Sequence, residues 1–180
     1  VPPDAALPTP ASGFQRALAY RWLWSFALLV FIADQLTKLW IIHRLPLGSY
    51  GPRGITIFPG FFNLVHVGNT GAAWSMFSGR STMLALLALA TLTAIFFYRK
   101  HLGLHQTVPQ FCFGLLCGGT VGNLLDRLKH GHVIDFLDFH FGDYIFPTFN
   151  VADSAICIGV FSYIWWSLKQ PEPPAAASDQ

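Results

Sequence analysis

The sequence predicts an all-α integral membrane protein: a bundle of four transmembrane helices with a small extracytoplasmic β-sheet formed by its loops. Three observations predict it. Only 11% of the 180 residues are charged and 53% are hydrophobic, whereas a soluble domain carries about a quarter charged residues; mean hydropathy is +0.45. Four apolar runs, at residues 22–42, 82–98, 108–125 and 151–168, come close to the ~20 residues that a bilayer core requires. Aromatic and basic residues collect at the ends of these runs, as in Phe96-Phe97-Tyr98-Arg99-Lys100 and Trp165-Trp166 with Lys169, the pattern of a membrane interface.

In chain order, residues 1–15 are rich in Pro and Ala without a hydrophobic period and are expected to be disordered, as are residues 170–180 (QPEPPAAASDQ). Residues 16–169 between them are expected to form one membrane-embedded domain. The first span has the basic flank of a signal peptide in Arg16 and Arg21, but no small-residue cleavage site follows it, and it reads as an uncleaved helix. Asp34 and Lys38 interrupt its distal third. Four residues apart with the acid first, they are neighbours on one helical face in the favourable order, either a self-neutralising pair or part of a site.

Ile55–Phe58 and Phe61–Val67 around Pro59-Gly60 read as two short strands. Gly68-Asn69-Thr70-Gly71 follows, where glycine allows tight backbone and Asn69 offers donor and acceptor. The second span has no charged or amide residue. The third contains Gly114, Gly118, Gly119 and Gly122, which permit close helix contact. A second connecting segment, 129–148, is dense in His, Asp and aromatics, with Val133–Phe136 and Asp138–Phe141 extended. The fourth span closes the chain.

Four spans put both termini on one side. Arg16, Arg21, Arg99, Lys100 and Lys169 flank that side, which is therefore expected to be cytoplasmic. Asp34, Asp126, Asp135, Asp138, Asp143 and Asp153 then fall toward the other face, six of the nine acidic residues, more than solubility explains. The net charge of +2 is too small to attract a nucleic acid. Cys112, Cys117 and Cys157 lie within apolar spans, match no metal or redox spacing and read as small hydrophobes.

Several chemistries are excluded. No HExxH exists, since the only Glu is Glu172, and no dinucleotide or P-loop fingerprint is present. His130-Gly131-His132 with Asp135 reads as a solvated loop rather than a metal site, and no His-Asp partner is legible for Ser75, Ser78 or Ser81. What remains is Asp126 at the exit of the third span and Asp153 at the entrance of the fourth. Each follows an asparagine by three residues, Asn123 and Asn150. Two close aspartates share a proton and titrate as a unit, so one can deprotonate water while the other polarises a carbonyl. Alone, either aspartate reads as a helix-end acid; together with two Asn and Arg127 they favour catalysis. The alternative from another class is a membrane lipid-binding or assembly protein with structural carboxylates.

These motifs resemble the lipoprotein signal peptidase (signal peptidase II) family. The resemblance rests on Asp34-Gln35-Leu36-Thr37-Lys38, Asn69-Thr70-Gly71-Ala72-Ala73-Trp74, Gly122-Asn123-Leu124-Leu125-Asp126-Arg127, Val133-Ile134-Asp135-Phe136 and Phe149-Asn150-Val151-Ala152-Asp153, and it spans Trp22 to Trp166. It implies catalytic aspartates at Asp126 and Asp153. Binding or supporting residues are implied at Asp34, Lys38, Asn69, Gly71, Asn123, Arg127, Asn150 and Ala152. Trp74 stands where family members often carry Phe, and Gly68 where a second Asn is frequent. The resemblance further implies a metal-free and cofactor-free aspartic endopeptidase of the bacterial inner membrane. Such an enzyme cleaves diacylglyceryl-modified prolipoproteins just before the lipidated cysteine, among membrane lipid, and is inhibited by globomycin.

Overall fold

Each apolar run folds as a helix, and three of the four extend beyond the hydrophobic stretch that identifies them. The computed structural model describes residues 18–72 and 76–170. The N-terminal tail, residues 171–180 and Trp74 lie outside the described residues. Helix α1 is Arg21–Arg44, α2 is Ser81–Tyr98, α3 is Thr107–His130 and α4 is Val151–Leu168. All four are long and apolar enough to cross a membrane.

The extension of α3 matters most. Its apolar run stops at Leu125, but the helix continues through Asp126 and Arg127 to His130. It ends where Gly131 adopts a left-handed φ of +75° and its N–H donates to the Arg127 carbonyl, the usual glycine stop. Asp126 is therefore inside the helix rather than at its rim. Gly118, Gly119, Gly122, Asn123 and Asp126 are all buried, a 3.6-residue stripe facing the other helices.

Helix α3 is the centre of the bundle and packs on α1, α2 and α4. Glycine makes the approach possible: a Cβ on Gly119 would lie 2.5 Å from the Ala152 carbonyl of α4, and one on Gly122 would lie 2.5 Å from Asp34 Oδ2 of α1. On α1 the buried side chains are Leu23, Val30, Asp34, Lys38 and Ile41, a single stripe aimed at α3. The opposite faces carry exposed Trp24, Leu28, Leu36, Leu86, Phe97 and Phe161, the surface that a hydrocarbon solvent would cover. Helix α2 buries only Leu84 and Ala85.

The helix directions follow from the two apolar clusters. Leu23, Leu104 and Phe113 meet at the end holding the start of α1, with Tyr163 of α4 against them. Ile41 and Leu45 meet Ile134 and Phe136 at the other end. There the loops form a four-stranded antiparallel sheet in the order β1 (Ile55–Phe58), β2 (Phe62–Asn69), β3 (Val133–Phe141), β4 (Tyr144–Ile145). The two extended pieces read from 133–141 are one strand. Pairing of β2 with β3 sets Asn69 opposite Val133 and Val67 opposite Asp135, with an irregularity between Leu64 and Val67. Phe149 bridges to Leu137 beside β3, so the chain enters α4 directly from the sheet. The ends of α1, α3 and α4 and strand β3 thus converge.

Candidate active site

The convergence point is a buried polar network at the sheet end of the bundle. At its base, the buried Lys38 ammonium donates three bonds: to Asp34 Oδ2 at 2.8 Å, Asp126 Oδ2 at 2.7 Å and Asn123 Oδ1 at 2.9 Å. Three donors meet three acceptors, which is how a charge survives away from water. Gln35 Nε2 bridges Asp34 Oδ2 and Asp126 Oδ1, each at 3.2 Å. The Ala152 N–H donates to Asp34 Oδ1 at 3.0 Å, tying α4 to α1, and the Ile134 N–H donates to Asp126 Oδ2 at 3.2 Å.

Above this base, Asn123 and Asn150 distribute the bonds. Asn123 Nδ2 donates to Asp153 Oδ1 at 2.7 Å. Asn150 is the N-cap of α4 in a reciprocal box: Asp153 N–H donates to Asn150 Oδ1 at 2.9 Å, and Asn150 N–H donates to Asp153 Oδ2 at 3.2 Å. The Asn150 side-chain amide also donates to Asp135 Oδ1 at 2.7 Å. One residue therefore touches both Asp153 and Asp135. The second oxygen of Asp135 accepts from Asn69 Nδ2 at 2.9 Å, while Asn69 Oδ1 accepts from the Gly71 N–H at 2.8 Å. Arg127 Nη2 donates to the Gly71 carbonyl at 3.0 Å and Nη1 to the Asn123 carbonyl at 3.3 Å.

A cavity of about 850 Å³ opens over this layer. Its polar wall includes Asn69, Asn123, Arg127, Asp135 and Asp153; its apolar wall includes Val67, Ile145, Phe146 and Ile156. Asp126 does not line it. The pair expected from the sequence, Asp126 with Asp153, is thus not the pair that lines the cavity. Asp126 lies beneath the cavity with its oxygens committed to Lys38, Gln35 and the Ile134 amide, because α3 continues past it and turns it onto α1. The carboxylate that accompanies Asp153 at the cavity is Asp135, left out of the pair by the sequence reading.

The environment of Asp135 is distinctive. Burial, reinforced by the neighbouring Asp153 carboxylate, pushes its pKa up to about 7 against the opposing bonds from Asn69 and Asn150. Two acids at one cavity, one of them holding its proton near neutrality, form the pairing that acid–base hydrolysis uses. The remaining sequence-based candidates all join the same network: Asp34, Lys38 and Ala152 in its base, Asn123 and Asn150 above it, and Asn69, Gly71 and Arg127 at its rim. A signal for Asp135 did exist, namely an acid inside the apolar strand Val133-Ile134-Asp135-Phe136. Among the described residues no group of three or more His, Cys, Asp or Glu could hold a metal ion, and His130 and His132 stand with ring centres 6.0 Å apart.

Fold and site together define a multi-pass membrane protein with a carboxylate-lined cavity at one end of a four-helix bundle. The family model for signal peptidase (SPase) II matches residues 26–169. A lipoprotein signal peptidase of Burkholderia multivorans is 43% identical over 169 residues, covering 91% of this chain and 95% of its own. That of Pseudoalteromonas atlantica is 40% identical over 151 residues, covering 82% and 87%. A bacterial membrane enzyme solved by the in meso method at 2.3 Å superposes with a TM-score of 0.72 at 32% identity, covering 84% of this chain and 92% of the other. The chain belongs to the signal peptidase II family and is a membrane protease.

Proposed function

We propose that this chain is an aspartic endopeptidase that removes the signal peptide from diacylglyceryl-modified prolipoproteins, with Asp135 and Asp153 as its catalytic pair. The observation that carries the reading is that these two carboxylates share one cavity and one asparagine, with Asp135 pushed up to about 7. In this scheme Asp135 holds the pair's proton and Asp153 acts as the base. It takes a proton from a water molecule as that water attacks the scissile carbonyl carbon, while the Asp135 proton passes to the carbonyl oxygen. The tetrahedral intermediate then collapses. Its C–N bond breaks, and the proton held by Asp153 moves to the departing cysteine nitrogen. Asp135 recovers its proton from a hydroxyl of the intermediate. Neither a metal nor a covalent enzyme intermediate is involved.

The apolar wall suits the diacylglyceryl chains, and Arg127 and Asn69 present donors to peptide carbonyls at the rim. Asp126, Asp34, Lys38 and Ala152 support the pair from below. The cyclic peptide globomycin would occupy the same cavity. We place the sheet and cavity on the extracytoplasmic side of a bacterial inner membrane and both termini in the cytoplasm. Arg21, Arg99, Lys100 and Lys169 at the termini end support this orientation.

The test is cleavage of a purified lipidated prolipoprotein by three variants in detergent. Asp135→Asn and Asp153→Asn should each lose at least about a hundredfold in turnover, and the double variant should be scarcely worse. Asp126→Asn should keep turnover per folded molecule while losing stability. A folded Asp126→Asn as inactive as Asp153→Asn, beside an active Asp135→Asn, would return the pairing to Asp126.

A further inference from the structure

We propose that the groove between the first turns of α3 and the last turns of α4 binds one acyl chain of an anionic phospholipid, with the phosphate held at Lys169. The groove lies at the opposite end of α4 from Asp153 and is independent of the reaction proposed there. It has a volume of about 780 Å³ between Val108, Phe111 and Cys112 of α3 and Phe161, Ile164 and Trp165 of α4. Apart from Ser162, its walls are apolar until the mouth, where Lys169 stands. From Phe161 to Lys169 the chain rises ~12 Å at a helical pitch, most of the ~15 Å of hydrocarbon in one leaflet. One acyl chain fits that length.

Charge selects the headgroup. Lys169 Nζ stands 4.4 Å from the Trp165 ring centre, at the groove mouth, and has no carboxylate partner among the described residues. The loop after α2, which carries Arg99 and Lys100, reaches the same place: a Cβ on Gly103 would lie 3.4 Å from the ring of Trp166, another residue of the groove. This end of the bundle has no acid among the described residues. A phosphate answers that charge. A second copy of the chain packed two-fold on this face would instead set one basic rim against another.

The full chain in detergent, offered phosphatidylglycerol and phosphatidylcholine of identical chains at equal concentration, can be read by native mass spectrometry. Wild type should retain phosphatidylglycerol at least about fivefold over phosphatidylcholine, and Lys169→Gln should reduce that preference about fivefold, the effect of one cation at an anionic headgroup. Lys169→Arg should preserve the preference, and Ile164→Trp, which fills the groove, should lower retention of both lipids. Both positions are exposed, and an unchanged unfolding midpoint would verify the fold. Equal retention of the two lipids by wild type would overturn the proposal, as would a preference that survives Lys169→Gln. A lipid-free dimer abolished by Ile164→Trp would assign the groove to self-association instead.

Discussion

Asp135→Asn should make this protein more stable at alkaline pH while removing its activity. A buried carboxyl raised from 3.8 to about 7 resists ionisation by ~4 kcal/mol, at ~1.4 kcal/mol for each tenfold in proton affinity. The sign follows from proton binding. Between roughly pH 4 and 7 the folded chain holds a proton that the unfolded chain has released, so stability falls as pH rises through that window. By pH 5 only ~1.6 kcal/mol of the penalty is felt, and by pH 8 nearly all of it. The amide is always neutral and escapes this. It has a cost of its own, because Asn69 and Asn150 both donate to this side chain and an amide oxygen replaces only one of the two acceptors. That cost, about 1–3 kcal/mol, is the same at both pH values and cancels in their difference. Between pH 5 and pH 8 the wild type should therefore lose about 2.5 kcal/mol more than the variant. In thermal unfolding in detergent micelles this is a relative change of roughly 5–10 °C, at ~2–4 °C per kcal/mol. Parallel pH dependence in the two proteins would refute the reasoning, since Asp135 would then ionise in place without penalty and could not be the proton-holding member.

Other outcomes are expected from the same geometry. Cleavage should decline as pH rises through about 7, as Asp135 loses the proton it donates; a rate still climbing at pH 9 would exclude it as the acid. Lys38→Met strands Asp34 and Asp126 without their shared cation and should destabilise the fold by about 3–5 kcal/mol. Turnover per folded molecule should fall less than in Asp135→Asn, as measured by activity normalised to the folded fraction. Gly122→Ala drives a methyl to 2.5 Å from Asp34 Oδ2 and should cost about 1–3 kcal/mol, read as a lower unfolding midpoint. Cleavage should persist in excess EDTA, and loss of activity that zinc restores would implicate His130 and His132.

The spans were legible because a bilayer imposes length and hydropathy on any helix that crosses it, and α4 begins and ends at the residues that its apolar run defines. The depth of Asp126 was not legible. Its charge ends the apolar run, so hydropathy closes the span at Leu125, whereas the helix continues because Lys38, 88 positions earlier, neutralises that charge from another helix. The stop at Gly131 was written locally, but an apolar-run criterion does not weigh it. Asp135 escaped for a related reason. Its apolar neighbours Val133, Ile134 and Phe136 hint at burial, but its place at the cavity comes from pairing with β2 and from bonds to Asn69 and Asn150, distant in sequence. The i,i+4 pair of Asp34 and Lys38, by contrast, depends only on one helix and was readable directly.

The bond from the Ala152 amide to Asp34 Oδ1 joins residues 118 positions apart, and it bears on how the protein is made. Helix α1 enters the bilayer before α3 and α4 during synthesis, with an acid and a base in its distal third and neither of those partner helices yet beside it. Each charge would raise the insertion free energy by up to ~3 kcal/mol at mid-membrane depth, but the two lie one turn apart and neutralise each other on the way in. Asn123 and Asp126 arrive two spans later and open that closed pair into a shared one. Ala152 and Asp153 arrive last, on the final span. The base beneath the cavity lacks its Ala152 bond, and the carboxylate pair above it lacks Asp153, until the ribosome has delivered α4, so a partly inserted chain holds no assembled protease in the membrane.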